Sequence, residues 1–213
     1  MAEGYSGYYM ISDDVIFNHW FGEIDYDRVN TAEFQTRNDV IWDLDVGQAA
    51  ISRAYELITE KYGDDERVQA MIKQYQKGLL DNDYPRSIGY FFNDTDWRKQ
   101  LVNPDGCSTS DFVYVPTTNL SYYTALMDIL FEARVFHEIA FAKFQLTVPT
   151  RYHPEKLVYL WRYQRQVWHS EYNANIGMLH AVKLSPLAKD NWEKKRYCET
   201  VIHTHYRMLF GES

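Results

Sequence analysis

The sequence predicts a mainly α-helical protein: an antiparallel bundle of three long C-terminal helices preceded by two or three shorter ones. Three observations predict it. Apolar residues recur at helical spacing through most of 31–79 and 120–210. Asp, Ser or Pro stands where several of these stretches begin. The connections between the last three stretches are short, which favours antiparallel packing.

Residues 1–10 hold two glycines and three tyrosines, and they are expected to form an extended arm. The rest, 11–213, reads as one helical domain in three parts: 11–81, 82–118 and 119–213. A first helix is expected from Ser12, with Asp13 and Asp14 at the positive end of its dipole, through Val15, Ile16 and Trp20 to Phe21. A longer one from Thr31 places Phe34, Ile41, Leu44, Ile51, Tyr55, Ile58 and Tyr62 on one stripe. Gly63 then ends a helix, and Asp64 or Asp65 caps the next, whose Val68, Met71, Ile72, Tyr75 and Leu79 form a face.

Between 82 and 118 the period is lost and turn clusters dominate. Two short β-compatible runs, Ser87–Phe92 and Phe112–Val115, are expected to pair as a hairpin in an otherwise irregular segment. Beyond it the pattern returns. One helix is expected from Leu120 to Gln145, and a second from Pro154 as far as Val182. A third is expected from Ser185 and Pro186 to Phe210, before Gly211. About 25 residues each would make these roughly 37 Å long.

Aromatic residues are abundant: 18 Tyr, 11 Phe and 6 Trp in 213 residues. Net charge is −8, against a uniformly basic nucleic-acid binder, but it is uneven, −13 over 1–132 and +5 over 133–213. No stretch is apolar enough to span a membrane, so no membrane partner is expected. The start has no secretory pattern, and Cys107 and Cys198 lie far apart with no metal spacing. A reducing location, cytoplasm or virion, follows from this reading.

No phosphate loop, nucleophile elbow, His-Glu-x-x-His or dinucleotide fingerprint occurs. Asp43 with Asp45, and Asp94 with Asp96, lack the ligand count and the glycine of a calcium loop. No catalytic residue and no cofactor are therefore expected. The arm, the aromatic loop and the polarity of charge together predict a non-enzymatic subunit of a larger assembly such as a virus particle. It would self-associate as a homo-oligomer or join a multi-subunit complex. Its expected interface is Tyr5, Tyr8, Tyr9, Tyr90, Phe91, Phe92 and Tyr114.

Other readings have their own residues. Glu132, His169, Glu199 and His203, drawn from the expected C-terminal helices, are the candidate ligands of a dinuclear site in a helical metalloenzyme. Arg162, Arg165, Lys194, Lys195 and Arg196, with aromatic neighbours, are candidates for nucleic-acid contact. The pairs Arg162–His169 and Arg196–His203 resemble the catalytic Arg…His motif of HEPN-type ribonucleases, a resemblance that covers no more than the pair itself. The acidic front would also suit an inhibitor or immunity-type protein that occupies a basic site.

Overall fold

A computed structural model describes residues 4–18, 20, 24–31, 34–35, 45–82, 97–102, 107–108, 111–153, 157–160, 165–183 and 185–211. In chain order its elements are β1 (Gly7–Ile11), β2 (Val15–Phe17), β3 (Val29–Thr31), β4 (Phe34–Gln35), α1 (Asp45–Glu56), α2 (Glu66–Asp81) and α3 (Trp97–Val102). Then come β5 (Cys107–Ser108), β6 (Phe112–Pro116), α4 (Thr117–Glu132), α5 (His137–Gln145), β7 (Thr150–Tyr152) and β8 (Leu157–Tyr159). The last are α6 (Trp168–Glu171), β9 (Met178–His180), α7 (Asn191–Tyr197) and α8 (His203–Phe210). The fold is mixed α/β with two multi-stranded sheets, which corrects the expected helical bundle. The chain divides into two compact units, 1–9 with 25–152, and 10–24 with 153–213.

The first unit is built on a sheet of order β1-β6-β3-β7. Its core strand is β6, Phe-Val-Tyr-Val-Pro, buried at every position, which is how a strand covered on both faces reads. β6 pairs antiparallel with β3, Asn30 opposite Tyr114 and Thr31 opposite Val113. β3 pairs parallel with β7, Val29 opposite Thr150. The expected hairpin is thus not the pairing that β6 makes; its other half, Ser87–Phe92, lies outside the described residues. The expected arm is β1, an edge strand of this sheet. Thr117 donates its N–H to Ser6 O (2.8 Å) and its hydroxyl to Tyr5 O (2.8 Å).

α2 stands where the sequence places it, with Asp65 Oδ1 accepting from Val68 N at 3.0 Å and Val68, Met71, Ile72, Tyr75 and Leu79 buried. The expected single helix of 120–145 is two, α4 and α5. Arg134 takes a left-handed backbone (φ 63°), and the Arg53 guanidinium donates twice to Ala133 O, at 2.9 and 3.2 Å. This helix end is capped by a side chain 80 residues away rather than by a local glycine. α5 is almost wholly buried, and Phe141 and Phe144 with Tyr75, Tyr114 and Tyr122 fill the interior. Much of the aromatic surplus is therefore core.

Gly78 on α2 offers a test of this packing. A methyl group there would collide with Thr147, its Cβ 2.7 Å from Thr147 Cβ and closer still to Thr147 O. Gly→Ala in an open helix stabilises by about 1 kcal/mol. Here Gly78→Ala is expected to destabilise by about 1–3 kcal/mol, read from urea denaturation midpoints.

The second unit has a sheet of order β2-β9-β8. β2 and β9 are antiparallel, with Val15 opposite His180 and Phe17 opposite Met178, and β8 runs parallel to β9. Ile16, Leu160, Trp168, Tyr172, Leu179, Val182 and Val201 close its core. The expected helices at 12–21 and 154–182 are corrected to β2, β8, α6 and β9. Their apolar residues do meet, but from separate elements. The expected helix from Ser185 is a 3-10 turn at Ser185–Ala188 and then a continuous run from Asn191 to Phe210. Asp190 caps this run (Oδ1 to Trp192 N, 2.8 Å), and a π turn at Cys198–Ile202 interrupts it.

Candidate active site

Asp14 stands one residue before β2, and His180 ends β9 beside it. The register that pairs Val15 with His180 puts the two side chains at one end of the sheet. The backbone fixes this end, because Asp14 O accepts from Val182 N at 2.7 Å. His180 Nε2 lies 3.3 Å from Asp14 Oδ1, and Lys183 Nζ bonds Asp14 Oδ2. Tyr159 on β8 sets its ring edge-on to His180, with centroids 5.4 Å apart. The Asp14 side chain is 12% exposed and that of His180 20%, so the imidazole is the more exposed of the two.

Burial pushes the Asp14 carboxyl up, but the Lys183 hydrogen bond and the charges of His180 and Lys183 outweigh it and hold the group below its usual range. An ionised Asp14 at ion-pair distance from Nε2 favours a proton on that nitrogen. A carboxylate that orients a histidine in this way makes the imidazole a proton acceptor.

A second half-buried histidine lies in the first unit. His137 opens α5, its ring against Phe131 and Phe141, and burial pushes its pKa down despite the opposing charges of Glu138 and Asp111. As pH falls below about 6.5, the unfolded chain binds a proton that folded His137 resists, so stability falls. His137→Gln is expected to weaken this acid dependence, seen as a smaller drop in urea midpoint between neutral pH and pH about 5.5. An open cavity of about 300 Å³ elsewhere in this unit is lined by Arg53, Glu56, Leu57, Glu60, Lys61, Glu132 and Ala133. Its Glu132 is engaged by Lys61 (2.6 Å) and Tyr62 (2.8 Å), which hold its carboxyl low.

The residues singled out from sequence fall elsewhere. Tyr9 packs on Tyr114 (5.0 Å) and Phe112 (6.0 Å), Tyr5 lies near Tyr8 (6.4 Å), and Tyr114 is buried in the sheet. Tyr90, Phe91, Phe92 and Arg162 lie outside the described residues, as do Asp43, Asp94 and Asp96. Arg165 donates to Leu160 O at 3.3 Å. Lys194, Lys195 and Arg196 sit on α7, where Arg196 pairs with Glu193 (3.3 Å) and Lys195 with Glu199 (3.6 Å). Among the described residues of the second unit, His169, Glu199 and His203 form no group that could hold a metal ion. His169 lies on α6 against Trp168, and Glu199 and His203 are exposed. Asp14 and Lys183 went unnoticed as site residues because nothing local connects Asp14 to residues more than 160 positions away.

The family model for STELLO glycosyltransferases matches residues 2–112, just over half of the chain. The chain belongs to the STELLO glycosyltransferase family. No curated protein and no solved structure matches it. Membership points to an enzyme and overturns the expected non-enzymatic, self-associating subunit of a virus particle. The alternative of an acidic inhibitor is set aside with it, and that of a helical metalloenzyme because the bundle it needed is not the fold. The absence of these motifs misled, since catalytic residues that meet only in the fold leave no local motif. Asp14 lies inside the matched span, and His180 and Lys183 lie beyond it.

Proposed function

We propose that the chain transfers a glycosyl unit from an activated donor to a hydroxyl acceptor, with Asp14 and His180 as the proton-accepting pair. The observation that carries this reading is the partly exposed imidazole of His180, backed by a carboxylate that Lys183 keeps ionised. Family membership supplies the reaction class.

In this reading the oxygen of the acceptor hydroxyl attacks the anomeric carbon as its proton passes to the His180 imidazole. The bond from that carbon to the leaving-group oxygen breaks, and the leaving group departs with the electron pair. Asp14 stabilises the imidazolium that forms and keeps the ring in one orientation. Lys183 acts through Asp14, holding the carboxylate charged and in place. A positioned base of this kind contributes typically 10²–10⁴ in rate.

The test is a transfer assay with a panel of sugar nucleotides and simple hydroxyl acceptors, following both leaving-group release and the mass of the acceptor. The expected result is an acceptor heavier by one glycosyl unit with at least one donor. Absence of transfer across the panel, from folded protein, would contradict the reading.

A further inference from the structure

The run from Asn191 to Phe210 ends in side chains that should not face water. Ile202 is 51% exposed, Tyr206 48%, Leu209 57% and Phe210 67%. At spacings of four, three and one they share one face of the helix. The opposite face, carrying Val201, Thr204 and His205, is the one turned to the second unit's interior: Val201 is buried and the other two are half-buried. Met208 is exposed as well, so three of the last four side chains of the helix are exposed and apolar, the fourth being Arg207. A contiguous apolar patch of this kind marks a binding surface.

The charges around the stripe say what it meets. Lys194, Lys195 and Arg207 are exposed on the same helical run, and Arg196 stacks on exposed Trp192 at 5.0 Å. The acidic residues of the run are already engaged, Glu193 by Arg196 and Trp168, and Glu199 by Lys195. An apolar stripe flanked by basic side chains and aromatic rings is the pattern of a helix lying in a lipid interface. We propose that this helix seats the protein on an anionic lipid surface, with Ile202, Tyr206, Leu209 and Phe210 in the acyl boundary and Lys194 and Arg207 at the phosphates.

A second copy fits the same stripe less well. About two turns of half-exposed side chains offer on the order of 400 Å² per copy. Two copies would bury roughly 800 Å², below the ~1,200–2,000 Å² of a stable interface. Pairing would also bring the like-charged basic clusters of both helices together, whereas an anionic surface complements them. The expectation of no membrane partner rested on the absence of a spanning stretch. Among the described residues no helix is long and apolar enough to cross a membrane, and a helix lying on the surface does not need to be.

The test is flotation of the whole chain with vesicles of phosphatidylcholine, alone or mixed with phosphatidylserine, beside the double variant Leu209→Glu/Phe210→Glu. Both substituted positions are more than half exposed, so the fold is preserved, which circular dichroism checks. The expected result is flotation with the phosphatidylserine vesicles, weakened by salt and reduced at least tenfold in the double variant. Three results would overturn the proposal: no flotation, flotation unchanged by the double variant, and equal flotation on neutral vesicles. A dimer by light scattering that the double variant makes monomeric, without vesicle binding, would assign the stripe to a second copy instead. None of these outcomes depends on the transfer reaction.

Discussion

Asp14→Asn is expected to lower the transfer rate by about 10²–10⁴, mostly in kcat, while the protein stays folded. The amide is nearly isosteric, but it cannot stabilise the imidazolium of His180 as proton transfer creates it. Its NH₂ can also face Nε2, favouring the other tautomer and turning Nδ1 into a donor. The same variant has a second signature, in stability. The folded Asp14 carboxyl titrates below its unfolded value, so its contribution is present above the unfolded pKa of about 3.9 and is lost as pH falls through the folded pKa. At neutral pH the cost of Asp14→Asn is expected to be about 1–2 kcal/mol. The gap between the two proteins should close in acid. A kcat unchanged by the substitution would remove Asp14 from the mechanism.

The largest stability effect is expected at Asn18. Its side chain is fully buried and has no slack. Nδ2 donates to Ile176 O (2.9 Å) and Asn173 O (3.2 Å), while Oδ1 accepts from the Tyr172 hydroxyl (2.8 Å) and lies 3.1 Å from His205 Nε2. The Asn18 N–H donates to Gly177 O at 2.9 Å. One residue thus joins the short N-terminal segment to the C-terminal part of the second unit. Asn18→Ala strips two part-buried carbonyls and the buried Tyr172 hydroxyl of this partner, and is expected to cost about 3–5 kcal/mol. Tyr172→Phe deletes one of these bonds and is expected to cost only about 1 kcal/mol. Denaturation midpoints followed by tryptophan fluorescence compare the two. Equal losses would show that the hydroxyl, not the amide, holds the segment.

Some of this was legible in the sequence and some could not be. α2 was, because its capping Asp65, its apolar period and the preceding Gly63 all lie within one short window. The divide between α4 and α5 was not, because Arg53 supplies the cap from a distant helix and no glycine or proline marks the spot. The second unit was the hardest to read. Its strands β2, β8 and β9 are three residues each, too short for a period of two to declare itself, and β2 pairs with a partner more than 160 residues away. Leu157, Leu160 and Trp168 keep helical spacing by coincidence of burial rather than by sharing a helix. Asp14 illustrates the consequence for function: taken alone it reads as an acid at a helix start, and only the fold turns it toward His180. The aromatic residues misled in the other direction, since Tyr75, Tyr114, Tyr122, Phe141 and Phe144 serve the interior.

The account centres on Asp14 and His180 acting as one unit in glycosyl transfer, and a double-mutant cycle on the transfer rate measures that directly. With Asp14→Asn, His180→Gln and the double variant assayed on the same donor and acceptor, residues acting together give grossly non-additive losses. The account predicts that the double variant is no slower than His180→Gln alone, with each variant at least a hundredfold below the parent. Losses that multiply, or a His180→Gln protein that transfers at the parent rate, would contradict it.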